Sequence, residues 1–452
     1  MSSIALHDDS YRRDLGDGLV LRWSTSADVD ELARLYGNVF RQRVSQPPNR
    51  TIAAWTRVMM SGEHPLLGPT DFAVVEDTGQ QKLVAATNLM RQVWTYGGIP
   101  LPVGRPEVVA TEAEHRQRGL IRDIFELIHA RSAARGDLVL GITGIGYYYR
   151  QFGYEYALDL GGGYSIPFAS IPAQSPQTPE SVKLREATID DLPQIMALYE
   201  QEHAHALVAA QIDADYWRFM LKGSLACDPD SGWRTLMIVD REEQVLGYTL
   251  LHPKLWGPTL AVKSLMVKAG LSFHALLPSI LRAIQAEALT LPVAPGAPQP
   301  GSISLELSRG HPVYAALTEN LAAHYNRPYA WYVRVPDLIA LMQKIAPVLE
   351  RRIAESVLVG HSGEIKINLY RGGLRLVFEN GQLRTVEPWQ APLWNGWADA
   401  TCPPLVFLQL VFGHRSLDQL RDMFPDVSAS GEHQLLLQTL FPAQPSLVIP
   451  LD

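Results

Sequence analysis

Residues 108–121 have the sequence VVATEAEHRQRGLI, in which an apolar β-branched segment runs into a turn of arginine and glycine. After Gly119 the apolar positions recur at helical spacing, at Ile121, Ile124, Phe125, Leu127 and Ile128. This spacing predicts a helix that begins at the turn, where its unpaired N–H groups and its dipole favour an anion. We therefore interpret the turn as a cradle for a pyrophosphate.

The composition of this turn suits a phosphate group. Gly119 lets the backbone approach closely, and the guanidinium groups of Arg116 and Arg118 present planar forks of donors that match phosphate oxygens in pairs. Taken alone, the same residues also fit a solvated turn with ordinary surface arginines. The segments that follow the turn favour the first interpretation.

A second apolar segment and an aromatic segment come next. Residues 138–142, LVLGI, have the pattern of a buried parallel strand, and residues 143–154 are TGIGYYYRQFGY. The order of strand, Arg/Gly turn, helix, strand and aromatic segment resembles the GCN5-related N-acetyltransferases (GNAT). The resemblance implies that the turn binds the pyrophosphate of acetyl-CoA and that the strand before it pairs with the pantetheine arm.

The composition limits the class of protein. With 452 residues, 47% of them hydrophobic, the chain is expected to form about three globular domains. It has no leader-like N-terminus and no apolar run of about 18 residues, so we expect a cytoplasmic protein without a membrane span. The net charge of −8 argues against a nucleic-acid partner and mildly favours a cationic ligand. Cys227 and Cys402 stand far apart, which predicts neither a metal site nor a disulfide.

The chain contains an internal repeat. Residues 20–36 and 183–199 each have the pattern of a strand, a capped turn and an amphipathic helix, with Leu, Arg, Thr, Asp and Tyr in the same register. The hairpin pattern of residues 72–75 and 84–89 recurs at 236–239 and 246–251. We infer two copies of one α/β unit.

The second copy lacks the arginine turn. Its residues 264–274 are SLMVKAGLSFH, with no arginine before Gly270, so we expect no CoA there and a structural role that walls the substrate cleft. His274 is interpreted as a core or surface histidine. The proline-rich residues 166–181 predict a linker, and residues 291–302 predict a surface loop.

The pattern changes again after Pro336. Residues 337–355 predict an amphipathic helix, residues 365–370 predict a strand, and a hairpin is expected around Asn380-Gly381. Apolar helices are predicted at 405–411 and 417–423. This order resembles the sterol-carrier-protein-like domain.

The whole plan resembles the Eis-type (enhanced intracellular survival) N-acetyltransferases. The implied fold class is α/β (α+β), with tandem GNAT folds, the second degenerate, followed by a sterol-carrier-like domain. The expected parts are a catalytic GNAT domain at 1–166, a linker at 167–182, a degenerate GNAT domain at 183–336 and the last domain at 337–452. The resemblance also implies a homo-oligomer, such as a hexamer.

Acetyl transfer to an amine needs a neutral nucleophile, a polarised thioester carbonyl and a proton for the departing thiolate. The Eis resemblance implies that Tyr149 is the general acid, with Tyr147 and Tyr148 as rivals. A phenol of pKa about 10 can protonate a thiolate of pKa about 8.5. If the segment is extended, alternate residues face opposite sides, so at least one of the three tyrosines packs against the sheet.

The resemblance implies an unusual base, the carboxylate of the last residue, which here is Asp452. Its side-chain and main-chain carboxylates are both open alternatives. A carboxylate of pKa about 3.5 needs desolvation or a bridging water to deprotonate an ammonium. The apolar approach at residues 445–451 suits a docked tail.

The cofactor contacts follow from the turn and the resemblance together. We expect the backbone of Val109, Ala110 and Thr111 to meet pantetheine, and Gly144 with Ile145 to lie near the acetyl end. The pyrophosphate is expected among Arg116, Gln117, Arg118, Gly119, Leu120, Ile121 and Arg122.

Two functions follow from these expectations. The first is an acetyl-CoA-dependent N-acetyltransferase that acts on a small cationic amine, either aminoglycoside-like or a polyamine, or on lysine. The alternative is a lipid or acyl-CoA binding module whose GNAT half is non-catalytic. The coincidence of the turn, Tyr149 and the tail favours the enzyme.

Overall fold

A computed structural model describes residues 5–450, apart from residues 42, 44, 178, 223–231, 294–295 and 392–397. The predicted base, Asp452, and Cys227 lie outside the described residues. The described chain forms three β-sheets with helices packed on them.

The first part of the chain carries the arginine turn. Its elements are β1 (Arg12–Gly16), β2 (Leu19–Trp23), α1 (Val29–Val39), α2 (Arg50–Met59), β3 (Phe72–Asp77), β4 (Lys82–Tyr96), β5 (Ile99–Thr111), α3 (Leu120–Arg135), β6 (Val139–Ile142) and β7 (Glu155–Leu160). Helix α3 begins directly after Gly119, as the apolar spacing predicts. The strand predicted at 138–142 is also confirmed.

The middle part repeats much of this order. Its elements are β8 (Gly163–Pro167), β9 (Lys183–Glu186), α4 (Leu192–His203), β10 (Val208–Gln211), α5 (Ala214–Lys222), β11 (Arg234–Val239), β12 (Val245–Leu251), β13 (Thr259–Val267), α6 (Phe273–Thr290), β14 (Ser302–Leu305), β15 (His324–Asn326) and β16 (Tyr329–Arg334). Both predicted hairpins form, as β3 with β4 and as β11 with β12.

The last part contains α7 (Leu338–Ala354), β17 (Gly363–Asn368), β18 (Gly373–Glu379), β19 (Gln382–Pro388), β20 (Ala400–Thr401), α8 (Pro404–Val411), α9 (Leu417–Met423), β21 (Ser428–Ala429), α10 (Gly431–Leu440) and β22 (Ser446–Leu447). The predicted helices and the hairpin at Asn380-Gly381 are confirmed. Among the described helices, none combines the length and the apolarity needed to cross a membrane.

The repeat extends to individual ion pairs. Arg22 on β2 makes two bonds, of 2.7 and 2.8 Å, to Asp28, and Arg185 on β9 makes two bonds, of 2.7 and 2.8 Å, to Asp191. In both copies the aspartate also accepts from the threonine that caps the turn before the helix. The same sequence pattern therefore builds the same strand-to-helix turn twice.

The two larger sheets exchange strands. The first has the order β1-β2-β3-β4-β5-β6-β16-β7, and the second has the order β15-β8-β14-β13-β12-β11-β9. The sheets therefore do not divide at the predicted boundaries: β8, mostly inside the predicted domain 1–166, lies in the second sheet, and β16, inside 183–336, lies in the first. Residues 163–167 form β8, so the extended linker begins later than residue 166.

The remaining sheet has the order β19-β18-β17-β20-β21, and helix α7 packs between it and the first sheet. One continuous apolar core joins Trp94 and Trp331 of the first sheet to Ile345 of α7 and Phe407 of α8. The end of the described chain returns to the first sheet, where β22 pairs with β10 and β10 pairs with the far end of β4. The first sheet thus also takes up β10 from the middle part of the chain and β22 from the last part.

Candidate active site

The site is built where two parallel strands of the first sheet separate. Strand β5 pairs with β6 at residues 103–104 and 139–140, and then continues beside β4 as far as Thr111. Val108 has a φ of 55°, and the pairing of β4 with β5 shifts nearby. A bulge of this kind bends a strand and increases its twist. One edge of β5 is therefore open beyond the bulge.

A groove of about 750 Å³ lies beside this open edge. It is lined by the end of α1, the arginine turn, the start of α3 and the turn that carries Tyr148. The predicted cofactor residues in its wall are Val109, Ala110, Thr111, Arg116, Gln117, Arg118, Gly119, Leu120, Ile121, Arg122 and Ile145. Gly144 precedes Ile145 and lies beside Tyr149. The structure thus brings all twelve predicted cofactor residues to one place.

The turn has the features of an anion site. Gly119 is the residue before α3 and has a φ of 81°, which glycine adopts without steric cost. Arg118 pairs with the exposed Asp17 at 2.7 Å, a contact that water screens. In the described part of the chain, neither Arg116 nor Arg122 has an acidic partner. The N-terminus of α3 and these guanidinium groups can therefore face a bound phosphate.

Two buried atoms of the groove wall also fit a ligand. Thr111 Oγ1 and His115 Nδ1 have no hydrogen-bond partner within the described ranges. Buried polar atoms are rarely left unpaired in native proteins. Both residues line the groove, so a bound cofactor is the natural source of their partners.

The same turn gathers three groups that can ligate a metal. Glu112, Glu114 and His115 bring one ligand atom each within 4.8 Å of one another. Glu112, however, already pairs with Arg34 at 2.6 Å, and a guanidinium disfavours a neighbouring cation. The expectation that the protein needs no metal stays a prediction.

Tyr149 lies behind this groove, at the other side of Gly144. Its side chain is almost fully enclosed, with the residue 3% exposed, by the rings of Phe125, Tyr148, Tyr154 and Tyr332. A Cβ atom on Gly144 would lie 3.7 Å from the Tyr149 hydroxyl oxygen, and no described residue forms a hydrogen bond with that hydroxyl. Burial, assisted by the charge of Glu107, raises the pKa of Tyr149 above its ordinary value.

The sequence suggested an extended aromatic segment, and that interpretation is wrong. Residues 148–152 form a 3-10 turn, and Tyr147 before it has a φ of 67°. The three consecutive tyrosines therefore point in three directions. Tyr147 is 73% exposed, Tyr148 lines the groove and Tyr149 is buried. Glycines on both sides and the packing of Phe152 on Phe125 allow the turn to form.

A buried ion pair adjoins Tyr149, and sequence reasoning missed it. Arg105 on β5 donates a hydrogen bond of 2.7 Å to Glu107, and its guanidinium lies 5.1 Å from the ring of Trp331. Trp331 in turn donates a hydrogen bond of 3.1 Å to the carbonyl of Val448. The sequence did carry a signal for this ion pair, because Arg105 and Glu107 are opposite charges at alternate positions of a largely apolar strand. Val448 is thereby linked, through Trp331 and Arg105, to the wall of the site.

Sequence reasoning also missed three tyrosines, Tyr156, Tyr329 and Tyr332. Their hydroxyl groups are joined by hydrogen bonds of 2.6 Å between Tyr332 and Tyr156 and 3.2 Å between Tyr156 and Tyr329. Burial raises the pKa of Tyr156, but its hydrogen bonds and the charge of Arg150 outweigh burial and lower it overall. No local signal could place β16, which carries two of these residues, beside the turn of Tyr149.

The equivalent region of the second copy has a smaller cavity, of about 200 Å³, in place of the cofactor groove. Strands β13 and β14 are joined past their last paired position by an ion pair of Lys263 with Glu306. Nearby, Glu202 is fully buried and accepts hydrogen bonds from Tyr248 at 2.7 Å and from the backbone N–H of Leu265 at 3.3 Å. His274 is exposed at the start of α6. This geometry agrees with the expectation of a structural role for the second copy.

Part of the chain resembles a known class of protein, the GNAT-type acetyltransferases. Residues 21–157 match the family model described as an acetyltransferase (GNAT) domain. The matched region runs from β2 to β7 and includes the bulge, the arginine turn, α3 and Tyr149. The chain therefore contains a GNAT domain, and its mixed α/β fold is GNAT-like.

Solved structures extend the likeness to almost the whole chain. A GCN5-related N-acetyltransferase from Anabaena variabilis matches with a TM-score of 0.66 and 15% identity over 95% of this chain and 99% of its own. A conserved protein of unknown function from Enterococcus faecalis, described as a probable N-acyltransferase, matches with a TM-score of 0.68 and 14% identity over 96% and 100%. Eis1 from Mycobacterium abscessus matches with a TM-score of 0.59 and 16% identity over 94% and 98%.

At these identities the likeness shows a shared fold. Because each match covers nearly all of both chains, the arrangement of the three sheets is part of what is shared. No curated protein sequence matches the chain.

Proposed function

We propose that this protein transfers the acetyl group of acetyl-CoA to the amine of a small acceptor. The observation that carries the proposal is the groove at the open edge of β5, which holds an anion-binding turn and ends at Ile145, next to Gly144 and the Tyr149 hydroxyl behind it. A nucleotide thioester needs an anion site at one end and a proton donor at the other. The arginine turn and the loop in front of Tyr149 support this arrangement.

The cofactor contacts are proposed from the groove wall. The open edge of β5 at residues 109–111 offers backbone groups to the pantetheine arm, as an added strand would use them. Residues 116–122 hold the pyrophosphate through the N–H groups at the start of α3 and the guanidinium groups of the turn. The acetyl end then lies near Gly144 and Ile145. Bound acetyl-CoA supplies the activated acyl group.

Tyr149 is the proposed general acid. Its raised pKa keeps the phenol protonated at any ordinary working pH, so it is always ready to donate. The same raised pKa makes the phenol a weaker acid, and desolvation of a thiolate that forms in this enclosed space raises the pKa of the thiol and so narrows the difference between donor and acceptor. The thioester C–S bond breaks, and the phenol proton goes to the departing sulfur.

Asp452 is the proposed base, through its side chain or its main-chain carboxylate. In support, the approaching residues are docked: Ser446 and Leu447 pair with β10, and Val448 and Ile449 are buried. The carbonyl of Val448 lies on the Trp331 side of the buried ion pair. A base here takes the proton of the attacking amine.

The acceptor is proposed to be cationic, either aminoglycoside-like, a polyamine or a lysine side chain. The net charge of −8 and the partly exposed Glu107 beside Tyr149 favour a cation at this end of the site. The Eis resemblance adds further proposals, namely a sterol-carrier-like last domain, assembly into a homo-oligomer such as a hexamer, and a cytoplasmic location.

The second candidate is a lipid or acyl-CoA binding module with a non-catalytic GNAT half. It rests on the last sheet and the apolar helix α8, whose residues are largely buried against it. Stoichiometric lipid in the purified protein, without turnover of any amine, would favour this candidate.

The test is release of thiol from acetyl-CoA with a panel of amines. We expect at least one cationic amine to be acetylated and Tyr149→Phe to lower kcat by about 100-fold or more. Product mass should increase by one acetyl group on nitrogen. Turnover of no amine, together with unchanged binding of acetyl-CoA or lipid, would contradict catalysis.

A further inference from the structure

The loop after β6 is held from outside by tyrosine side chains. Tyr329 donates a hydrogen bond of 3.0 Å to the carbonyl of Gly144, and Tyr332 donates one of 3.0 Å to the carbonyl of Ile145. The backbone N–H of Tyr147 donates to the hydroxyl of Tyr156 at 2.8 Å. The Tyr156 hydroxyl also lies within hydrogen-bond distance of both other hydroxyls and can donate its single proton to one of them at a time, so the three form one network, which we call the tyrosine clamp.

This loop has little else to fix it. Residues 143–147 lie in no helix or strand, and Gly144 and Tyr147 have φ values of 120° and 67°. Ile145 is 64% exposed and Tyr147 is more exposed still. Segments with few buried apolar contacts open at low free energy. The Ile145 carbonyl also accepts from the backbone N–H of Tyr148, at 3.4 Å, so the clamp supplies the shorter of its two hydrogen bonds.

The loop forms a wall shared by two parts of the site. Ile145 lines the cofactor groove, and Gly144 lies against the Tyr149 hydroxyl on the other side. A displacement of these residues moves the groove wall relative to the proton donor. Near-attack geometry tolerates such displacements poorly.

We propose that Tyr329 and Tyr332 are positioning residues, which with Tyr156 hold the Gly144–Ile145 loop against the acetyl end of bound acetyl-CoA. This inference rests on the proposed function, because that proposal assigns the acetyl group to this loop. Tyr332 is the key member, since its hydroxyl is buried and its ring packs on Tyr149 with centroids 5.3 Å apart.

The clamp also gives the second copy a part in the site. Tyr329 and Tyr332 stand on β16, which is the last strand of the predicted second copy and inserts between β6 and β7 of the first sheet. The first copy therefore cannot supply the clamp from its own residues. The loop at Gly144 and Ile145 is therefore held in place only when β16 inserts correctly into the first sheet.

The test compares Tyr332→Phe with Tyr199→Phe as a matched control. Phenylalanine keeps the ring of Tyr332 and removes the hydroxyl alone. Tyr199 is also buried and donates a hydrogen bond of 2.8 Å to a backbone carbonyl, that of Ala210, away from the groove. Both variants lose one buried hydroxyl that bonds a backbone carbonyl, and only Tyr332→Phe also loses the contact with Tyr156 and hence the clamp.

Three readouts are needed: hydrogen exchange at residues 144–147, calorimetric binding of acetyl-CoA, and steady-state kinetics. For Tyr332→Phe we expect exchange to become faster and the Kd and KM for acetyl-CoA to rise, each by about 3- to 10-fold, as for loss of one hydrogen bond. The KM for the amine should stay unchanged. Tyr199→Phe should lower the Tm without any of these effects.

Unchanged exchange in Tyr332→Phe would overturn the clamp, and so would faster exchange with an unchanged Kd for acetyl-CoA. Equal effects in both variants would show general destabilisation and would also overturn it. Failure of the proposed function gives a different result, in which the unsubstituted protein binds no acetyl-CoA and acetylates no amine. Hydrogen exchange then still decides whether Tyr332 anchors the loop.

Discussion

Arg105 and Glu107 stand two residues apart on β5, and their side chains form a 2.7 Å ion pair on one face of the first sheet. Arg105 is only 2% exposed, whereas the Glu107 carboxylate retains some contact with solvent. The pair lies between the ring of Trp331 and the region of Tyr149, so the Glu107 carboxylate is an anionic group close to the proposed general acid.

The first prediction concerns this carboxylate. Glu107→Gln should raise the KM for a cationic acceptor by about tenfold and leave the KM for acetyl-CoA unchanged, because a charge-assisted contact becomes a neutral one. Initial rates with each substrate varied in turn provide the measurement. Glu126→Gln removes a comparable but exposed partner of Arg13 and serves as the control. A change in the acetyl-CoA KM alone would contradict the assignment.

The second prediction concerns the pH dependence of Tyr149. Because burial raises the pKa of the phenol, the protonated form persists and kcat should show no alkaline loss from Tyr149 below about pH 10. Tyr149→Phe should lower kcat by about 10²- to 10⁴-fold at every pH in this range. Tyr147→Phe, at an exposed ring, should retain activity. A kcat profile with an alkaline limb near pH 8 that disappears in Tyr149→Phe would count against this role.

The third prediction uses the two ends of helix α3. Gly119 and Gly136 both have left-handed φ values, 81° and 76°, and an added Cβ would meet no atom within 4 Å at either place. Gly119→Ala and Gly136→Ala should therefore each lower stability by about 1 kcal/mol through backbone strain. Only Gly119→Ala should weaken acetyl-CoA binding in calorimetry, because only that end faces the groove. Equal affinities in the two variants would argue against the anion site.

The fourth prediction separates the pyrophosphate from the rest of the cofactor. Arg116→Gln should raise the KM for acetyl-CoA about tenfold, since one charged hydrogen-bonding group is lost. The KM for acetyl-pantetheine, which has no pyrophosphate, should not change. Arg57→Gln, at an exposed arginine paired with Asp30, is the control. An equal rise in the KM for acetyl-CoA and for acetyl-pantetheine would show that Arg116 does not act at the pyrophosphate.

The fifth prediction concerns stability rather than catalysis. Burial raises the pKa of Glu202 from 4.5 to about 7, which favours the protonated, folded form. The unfolded chain releases this proton at lower pH, so the contribution of Glu202 to stability should fall as pH rises from about 4.5 to 7 and stay constant above. His311 and His203 face the same cluster, but burial lowers the pKa of these groups to about 3 and 4, so they remain neutral in this window.

Glu202→Gln tests this point by urea unfolding at pH 5 and at pH 7.5. The free energy of unfolding of Glu202→Gln, relative to that of the unsubstituted protein, should be higher at pH 7.5 than at pH 5, because the glutamine side chain does not ionise. Glu243→Gln, at an exposed carboxylate, should show no such gain. A constant difference between the Glu202→Gln and unsubstituted proteins would mean that Glu202 does not titrate in this range.

The sequence by itself determined the local structure on which the site depends. Helix α3 begins after Gly119 because glycine permits the left-handed turn and the apolar spacing that follows is helical. The duplicated turns at Arg22 and Arg185 and the hairpin at Asn380-Gly381 follow from side chains only a few residues apart. Such features need no distant partner, so the chain specifies them segment by segment.

The tertiary structure alone decided which strands share a sheet and hence what surrounds the acetyl end. Strands β8 and β16 exchange between the two sheets. The sequence could not predict this exchange, because backbone pairing between distant segments carries no local sequence signal. The turn at Tyr149 becomes 3-10 rather than extended because its rings pack on Phe125 and Tyr332. Tyr332 meets the carbonyl of Ile145 from 187 residues away, a contact that only the folded sheet can make.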